Sequence, residues 1–556
     1  MGVLPVPVPK RVHKVGSVLL SLLMALGAGG LGAGGGRPAA AAEQLELRLE
    51  GLQIPLNLNE LERWSVNGQL PAGERGADLA VWLGLLDADS RRHLRALLRA
   101  PLLRDRSFGR QLLDTWTGNQ LLAELGGLLT SADGRSTTPL LQPTLRQLLA
   151  EGKPVTAIAL LRALPEPSLS LQLDDLLNLA QQWRLQLNRQ QLALQQLQQL
   201  PLPRHQARSF MGLGASGTTT GKPPGRSKVP PALRPPRTLP LRVAHRPDPL
   251  PLEIWPVGPK AAAGPWVLIT PGLGGTADQL RWLAAALAER GWPVVVVQHP
   301  GSDALALRAS FGGERPPPGI ETLGDRLADL RAVLTAQRRG ELGLDGKGVV
   351  VVGHSLGGLT ALLLAGLQTE PGLERRCRQA LRPLPIANPS QLLQCQLLNV
   401  GAPPAEPPLA DLRGIVLFNS FGSLLWPERG LAALPVPLLM VGGSLDLITP
   451  PLAEQWQLFR GVHDRRSRLV LVDGGSHFSP VQMSMQEEAL FQLGDALVGV
   501  DPTAVQGMLL RLTVEFMQGL NPPLLLLPAQ RRLQQGVTAY VLDPPSVRRW
   551  RHLGER

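Results

Sequence analysis

Cysteine is scarce in this sequence. Two cysteines, Cys377 and Cys395, occur in 556 residues, and no pair of histidines or cysteines has the spacing typical of metal ligands. We therefore expect no metal ion. Residues 212–217 and 217–222 are glycine-rich like phosphate-binding loops, but neither stretch follows a predicted strand or opens a predicted helix, so we expect no nucleotide or other cofactor.

Aromatic residues are also rare, at 4% of the chain. Lysine and arginine outnumber aspartate and glutamate by 56 to 44, which gives a net charge of +12. A basic protein can bind nucleic acid or an anionic membrane surface. Here the basic residues are scattered and no basic patch is interleaved with aromatic side chains, so we expect no nucleic-acid partner. Peripheral contact with a membrane remains an expectation.

Only one apolar run is long enough to be considered as a membrane segment, residues 15–31. Lys10, Arg11 and Lys14 precede it, and alanines at 39–42 supply the small residues that a signal peptidase needs. We interpret residues 1–42 as a signal peptide and expect export to a periplasm, a thylakoid lumen or the extracellular space. A retained anchor is the alternative, although three glycines weaken the run.

The rest of the chain changes composition along its length. Residues 43–200 have leucines at steps of three and four, which predicts a mainly helical domain. Residues 201–238 are rich in proline, glycine and arginine and predict a linker. Residues 239–500 alternate strands and helices, which predicts a mostly parallel sheet with helices on both faces, and residues 501–556 form a C-terminal extension. The predicted strands are residues 239–245, 250–255, 265–270, 293–298, 349–352, 415–419, 436–442 and 468–473.

The most informative stretch is residues 347–366, KGVVVVGHSLGGLTALLLAG. Its four valines predict a strand buried on both faces, and a helix follows almost at once. The pattern G-x-S-x-G between them places a serine on a tight strand-to-helix turn. Gly353 and Gly357 fit this turn because a Cβ at either position would crowd the neighbouring strand or helix. We predict Ser355 as a nucleophile; an ordinary glycine-rich turn is the alternative.

A nucleophilic serine needs a histidine as base and a carboxylate that orients the histidine. Asp446 follows the seventh predicted strand and His477 follows the eighth. The carboxyl ends of parallel strands meet at one edge of a sheet, where ligands bind. We therefore predict a catalytic triad of Ser355, Asp446 and His477, in the chain order serine, acid, histidine. Asp464 and Asp473 are weaker alternatives for the acid, because neither ends the strand that precedes the histidine strand.

Backbone amides must stabilise the negative charge that develops on the substrate oxygen. One should be the amide that follows the nucleophile, at Leu356. The other should come from the sequence PGLGG at residues 271–275, where glycines allow close approach to a substrate carbonyl, and we favour Leu273. A tight turn without a ligand is the alternative for this loop.

These motifs resemble a known superfamily. Residues 239–500, with GHSLGG, GGSLDLITP and GGSHFSP, resemble the α/β-hydrolase superfamily and, within it, the branch of dienelactone hydrolases and platelet-activating-factor acetylhydrolases. Residues 45–183 resemble the N-terminal domain of cyanobacterial α/β-hydrolases of unknown function. The resemblance implies the α/β-hydrolase fold and the triad Ser355, Asp446 and His477.

Two differences from the resembled branch bear on the chemistry. The family usually has His-Gly where this chain has Pro271 and Gly272, and the missing histidine often braces the oxyanion loop. True dienelactone hydrolases use a cysteine nucleophile, so the serine here favours ordinary ester hydrolysis.

Both cysteines lie in an insertion after the predicted nucleophile helix, residues 368–410. In an exported protein, two nearby cysteines are expected to form a disulfide, which for a loop of this size stabilises the fold by about 3 kcal/mol. Two reduced, buried cysteines are the alternative. The leucine-rich part of the insertion, residues 389–398, is a candidate lid over an acyl pocket.

The sequence thus predicts a serine hydrolase that cleaves a carboxylic ester through an acyl-enzyme. The resemblance and the leucine-rich insertion favour a lipid-like ester over another small molecule. Acyl transfer by the same triad is an alternative that the sequence does not separate from hydrolysis. A binding or scaffold protein with a vestigial hydrolase fold is a third hypothesis, but such a protein has no physical need of all three triad residues.

Overall fold

The computed structural model describes residues 42–69, 77–103, 106–152, 155–206, 235–257, 264–382, 387–404, 407–482, 499–521 and 526–550. The predicted signal peptide, except for its last residue, lies outside these ranges. So do residues 207–234 of the predicted linker, with its two glycine-rich stretches. The chain divides into two compact units. The first unit comprises Met1–Leu185, Leu305–Pro318 and Cys377–Ala387, and the second comprises Gln186–Ala304, Gly319–Arg376 and Asn388–Arg556.

The strands are β1 (Gln44–Leu49), β2 (Leu52–Asn57), β3 (Pro101–Leu103), β4 (Leu129–Ser131), β5 (Val155–Thr156), β6 (Ser168–Gln172), β7 (Arg204–Gln206), β8 (Arg237–Leu241), β9 (Leu250–Trp255), β10 (Trp266–Thr270), β11 (Val294–Val297), β12 (Val349–His354), β13 (Leu412–Phe418), β14 (Leu438–Gly443), β15 (Arg468–Val472), β16 (Gln530–Gln534) and β17 (Val537–Leu542). The α-helices are α1 (Leu58–Asn67), α2 (Ala77–Leu85), α3 (Ala88–Arg99), α4 (Arg106–Leu113), α5 (Trp116–Leu128), α6 (Thr138–Glu151), α7 (Ala157–Ala163), α8 (Leu173–Gln198), α9 (Arg281–Glu289), α10 (Ala304–Phe311), α11 (Leu323–Arg338), α12 (Leu356–Leu364), α13 (Leu373–Ala380), α14 (Ser390–Val400), α15 (Gln457–Phe459), α16 (Pro502–Gln518) and α17 (Pro544–Arg549). A π-helical turn, Leu452–Trp456, precedes α15.

The first unit combines helices with a small sheet of order β2-β1-β6-β4. Strand β1 pairs antiparallel with β2 and parallel with β6. The core beneath the sheet is rich in leucine and includes the buried Trp64 of α1. Leucines at helical spacing predict the helices of this region, whereas β4 and β6, of three and five residues, are too short to leave a clear alternating pattern.

The second unit contains an eleven-stranded sheet of order β7-β16-β17-β15-β14-β13-β12-β10-β11-β9-β8. Its six central strands, β15 to β11 in this order, are parallel, and antiparallel pairs extend the sheet on both sides. This arrangement confirms the predicted α/β architecture. The carboxyl ends of β10, β12, β13, β14 and β15 come side by side at one edge.

Helices cover both faces of this sheet. Val349 and Val351 of β12 belong to one hydrophobic cluster, together with leucines of α11 and α12. Val350 and Val352 belong to a second cluster, together with apolar residues of α9 and α16. Successive side chains of a strand point to opposite faces, so a run of four valines is what a strand buried on both sides requires.

Segments outside the predicted hydrolase range also build the second unit. Ala193 and Leu197, near the end of α8, are buried in the cluster that contains α11 and α12. Strand β7 pairs with β16, and β17 pairs with β15. Residues 186–206, 502–518 and 530–542 therefore complete the same sheet and core that hold the candidate site. Among the described helices, none combines the length and the apolar character needed to cross a membrane.

The predicted insertion contains α13 and α14, and both cysteines are buried and disulfide-bonded. The start of α14 is fastened to the buried carboxylate of Glu454, which accepts hydrogen bonds from Asn388, Ser390 and Gln394. The same carboxylate accepts the backbone N–H of Ser423 at 2.9 Å. A buried carboxylate with this many donors holds the attached segments firmly in place.

Candidate active site

Ser355 occupies a strained turn between β12 and α12. Its φ and ψ are +51° and −119°, a conformation that residues other than glycine rarely adopt. A Cβ on Gly353 would clash with the backbone of Gly357, and a Cβ on Gly357 would clash with the carbonyl oxygen of Thr270 at the end of β10. The crowding predicted at both glycines is confirmed, and the turn presents the serine at the carboxyl edge of the sheet.

The structure joins His477 to Asp446 by a hydrogen bond of 2.9 Å between Nδ1 and Oδ2. An ionised carboxylate can only accept, so Nδ1 carries the proton and Nε2 is left as the proton acceptor. Nε2 of His477 forms no hydrogen bond within the described residues. The rival acids do not take this place: Asp464 pairs with Arg466 at 2.7 Å, and neither Asp464 nor Asp473 forms a hydrogen bond with His477 in the described part of the chain.

The Asp446 carboxylate is completely buried and surrounded by donors. Oδ2 accepts from Asn419 Nδ2 at 2.5 Å and from Thr449 Oγ1 at 2.6 Å, and Oδ1 accepts from the backbone N–H of Ile448 and Thr449. Burial by itself raises the pKa of Asp446, but the charge of His477 and these hydrogen bonds outweigh it, and the pKa is lowered. Asp446 is therefore ionised at neutral pH and orients His477.

His354, next to Ser355, holds the backbone of His477. Its Nε2 lies 3.0 Å from the carbonyl oxygen of His477; because a carbonyl can only accept, Nε2 carries a proton and donates it. Burial, together with the charge of His477, lowers the pKa of His354 to about 3. His354 is thus neutral at physiological pH and positions the loop of His477.

The serine hydroxyl itself is not bonded to the base. Ser355 and His477 lie at the ends of strands in the same sheet, and the rings of His354 and His477 are 5.0 Å apart between centroids. Within the described residues, however, the Ser355 hydroxyl forms no hydrogen bond. The bond between nucleophile and base is often long without substrate and shortens in the complex. The structure therefore joins Asp446 and His477 by a direct hydrogen bond. It places Ser355 at the same edge of the sheet, because all three residues follow the carboxyl ends of parallel strands.

The loop of residues 271–275 leaves few amides free for an oxyanion. Pro271 has no N–H, Gly274 donates to Ser302 O at 2.7 Å, and Gly275 donates to Gly272 O at 3.2 Å. In the described part of the chain, the N–H groups of Gly272 and Leu273 have no acceptor, and the same is true of Leu356 at the start of α12. The predicted donors Leu356 and Leu273 are thus available, and Gly272 is a further candidate.

Sequence reasoning missed several residues that support the site. Asn419 has a positive φ of 50°, and its side chain reaches Asp446 from the end of β13. Thr449 lies in the motif GGSLDLITP, but the motif by itself does not indicate that its hydroxyl bonds Asp446. Gln190 of α8, only 2% exposed, donates to the backbone oxygen of Asp446 at 3.3 Å. A polar residue directly after a buried strand is a signal by which Asn419 could have been found. Nothing in the sequence around Gln190 indicates that it contacts Asp446.

Comparison with known proteins finds two family matches along the chain. Residues 41–172 match a family described as "Alpha/beta hydrolase of unknown function (DUF1400)". Residues 266–493 match the alpha/beta hydrolase family. The chain has the α/β-hydrolase fold and an N-terminal DUF1400 region. The match of residues 266–493 supports a hydrolase, whereas the dienelactone-hydrolase or platelet-activating-factor acetylhydrolase branch stays a prediction. Comparison with curated proteins gives no match.

Two solved structures are among those similar to part of the chain. One is a thermophilic esterase from Thermogutta terrifontis with bound propionate, 16% identical, which covers 52% of this chain and 97% of its own at a TM-score of 0.31. The other is an α/β serine hydrolase without lid from Xanthomonas campestris, 15% identical, which covers 51% of this chain and 95% of its own at a TM-score of 0.30. Likenesses at this level carry no information about a substrate.

Proposed function

We propose that this chain is a serine hydrolase that cleaves a carboxylic ester through an acyl-enzyme on Ser355. The observation that carries the proposal is that His477 Nδ1 donates to Asp446 Oδ2 at 2.9 Å while His477 Nε2 forms no hydrogen bond within the described residues. It leaves the other nitrogen of His477 as a base at the strand edge that presents the serine elbow.

Each step of the reaction has a residue at the site. His477 Nε2 removes the proton from the Ser355 hydroxyl as its oxygen attacks the ester carbonyl, and the N–H groups of Leu356 and Leu273 stabilise the oxyanion. His477 then gives the proton to the departing alcohol, which leaves the acyl group on Ser355. Water attacks this acyl-enzyme with His477 again acting as base, and Asp446 stabilises the imidazolium in both halves.

We further propose that the ester is lipid-like. Two apolar side chains of α14 support this class, because Leu398 and Val400 are exposed to 44% and 43%. Both lie in or next to the leucine-rich stretch for which the sequence predicts a lid. Exposed apolar side chains suit contact with an acyl chain better than contact with a polar substrate.

A fluorophosphonate probe tests the hydrolase proposal directly, because it reacts only with an activated serine. We expect the wild type and the surface variant Ser136→Ala to be labelled, and Ser355→Ala to remain unlabelled. Absence of labelling on folded wild-type protein would overturn the proposal. Hydrolysis of p-nitrophenyl esters from acetate to decanoate then tests the substrate class: a lipid-like preference requires kcat/KM to rise with chain length, and a maximum at acetate contradicts it.

A further inference from the structure

Arg326 of α11 is a buried cation at the edge of the sheet that holds the candidate oxyanion hole. Its side chain is 1% exposed. The guanidinium donates to the carbonyl oxygen of Pro271, to Ser302 Oγ at 2.8 Å, and to Thr270 Oγ1 and Thr360 Oγ1, both at 3.3 Å. All of these acceptors are neutral, so the arginine is held by dipoles and not by a direct ion pair.

These bonds reach both segments that supply the oxyanion amides. Pro271 O belongs to the same peptide group as the N–H of Gly272, so its bond to Arg326 fixes the orientation of the loop at its first residue. On the other side, Thr360 Oγ1 donates to Leu356 O at 2.8 Å, in the first turn of the helix whose leading amide is that of Leu356. A single guanidinium is therefore bonded to the oxyanion loop and, through one hydroxyl, to the nucleophile helix.

The loop is also held at a second point through Ser302. Gly274 N donates to Ser302 O at 2.7 Å, while the hydroxyl of the same serine accepts from Arg326. The loop is thus fixed near its beginning and near its end, and the free amides of Gly272 and Leu273 lie between the two anchors.

A directed chain of hydrogen bonds orients the hydroxyl beside Arg326. Asp329 accepts from His299 Nδ1 at 2.8 Å and from Arg246 at 2.5 and 2.7 Å. His299 Nε2 is then unprotonated and accepts the proton of Thr270 Oγ1 at 2.9 Å. The oxygen of Thr270 is left to accept from Arg326. Every donor in this chain has an acceptor, so the end of β10 has one preferred arrangement.

Burying an arginine without a bonded carboxylate is unfavourable unless its donors are satisfied. Burial lowers the pKa of Arg326 to about 9, which leaves it charged at neutral pH. Fixed donors at an oxyanion site are effective because they need no reorganisation during the reaction.

We propose that Arg326 is a positioning residue that holds the backbone of both oxyanion-hole amides, those of Leu273 and Leu356. Thr360 is its link to Leu356. The proposal rests on the proposed serine hydrolase function. It assigns Arg326 no contact with the substrate: the guanidinium acts only through the backbone that it fixes.

The variant Arg326→Lys tests this role, because it keeps the charge but cannot bond both segments at once. We expect kcat on a short p-nitrophenyl ester to fall about 100-fold, with KM changed by less than about threefold. The inhibition constant of a trifluoromethyl ketone, whose adduct on the serine places an oxyanion in the hole, should rise by the same factor as kcat/KM falls. Loss of global stability alone does not produce this parallel change.

Arg468→Lys is the matched control. Arg468 is buried, 4% exposed, and donates to backbone carbonyl groups, among them Leu527 O. It stands at the amino end of β15, opposite the catalytic edge. We expect a similar loss of thermal stability and a kcat within about twofold of wild type. A folded Arg326→Lys variant with the kcat and ketone inhibition of this control overturns the proposal.

A second pair of variants decides the matter if Arg326→Lys does not fold. Thr360→Val keeps the shape of the side chain and removes its hydroxyl, so we expect kcat to fall about tenfold. Thr513→Val is its control, because the buried hydroxyl of Thr513 has no hydrogen-bond partner among the described residues. Equal kcat values for these two variants would refute the link. Failure of the proposed function itself is distinguishable, because the wild type would then neither hydrolyse esters nor react with the fluorophosphonate.

Discussion

Asp446 with His477, and Asp329 with His299, form two buried aspartate–histidine pairs at the same edge of one sheet. Their N–O distances are nearly equal, 2.9 and 2.8 Å. They differ in what the second imidazole nitrogen meets. His299 Nε2 is bonded to Thr270 at 2.9 Å, whereas His477 Nε2 forms no hydrogen bond within the described residues. An aspartate–histidine bond is therefore not by itself a mark of a catalytic base.

The charges around the two carboxylates differ as well. Asp329 is paired with Arg246 through two bonds. Burial, together with the charge of Arg326, lowers the pKa of His299 to about 4, although the bond to Asp329 acts in the opposite direction. Asp446 instead receives bonds from the neutral side chains of Asn419 and Thr449. A carboxylate without a fixed cation can stabilise a new positive charge on its histidine, which is what a general base needs.

The largest effect should come from exchanging the two carboxylates for amides in turn. Asp446→Asn should lower kcat about 10⁴-fold, because the amide favours the wrong tautomer of His477. Asp329→Asn should lower kcat only about tenfold, through the hydrogen-bond chain to Thr270, but should lower the free energy of unfolding by about 3–5 kcal/mol, since it leaves Arg246 buried without its partner. Ester hydrolysis and urea denaturation measure the two quantities. Equal losses of kcat in both variants would contradict the comparison.

A smaller effect concerns the pH dependence of stability. The pKa of His299 is lowered from 6.5 to about 4, so between these values the unfolded chain binds a proton that the folded protein does not. The free energy of unfolding should be highest above pH 6.5 and should fall by up to about 3 kcal/mol toward pH 4. His354, with its pKa lowered to about 3, acts in the same direction. Urea denaturation at pH 7, 6 and 5 should give a flatter dependence for His299→Gln, and a wild-type curve that is flat over this range is the opposing result.

The smallest effect should come from removing one of the neutral hydrogen-bond donors around Asp446. Asn419→Gly keeps the positive φ but removes the amide that bonds Asp446 at 2.5 Å, and we expect kcat to fall about tenfold. Gln535→Gly is the control, because Gln535 also has a positive φ, of 49°, on an exposed turn. Its kcat should equal that of the wild type. If Asn419→Gly has the same kcat as this control, the neutral donors around Asp446 do not explain why the Asp446–His477 pair differs from the Asp329–His299 pair.

Much of the second unit could be predicted because buried parallel strands leave unbroken apolar runs. The predicted strands at residues 265–270, 293–298 and 468–473 each overlap an observed one, and Asp446 and His477 follow strand ends as expected. The sequence does not predict the antiparallel pair β16 and β17 as part of the sheet. Its strands mix charged and apolar residues, as in Arg531 and Arg532, so no apolar run marks them.

By itself the sequence determined the α/β architecture and the three loops that carry Ser355, Asp446 and His477, because local hydrophobic patterns set where strands end. Only the tertiary structure decided which polar groups meet at those ends. Gln190 lies 256 residues from Asp446, and Arg326 lies 55 residues from Pro271. Such partners depend on which helix packs over which strand end, and that packing is fixed by the whole core at once.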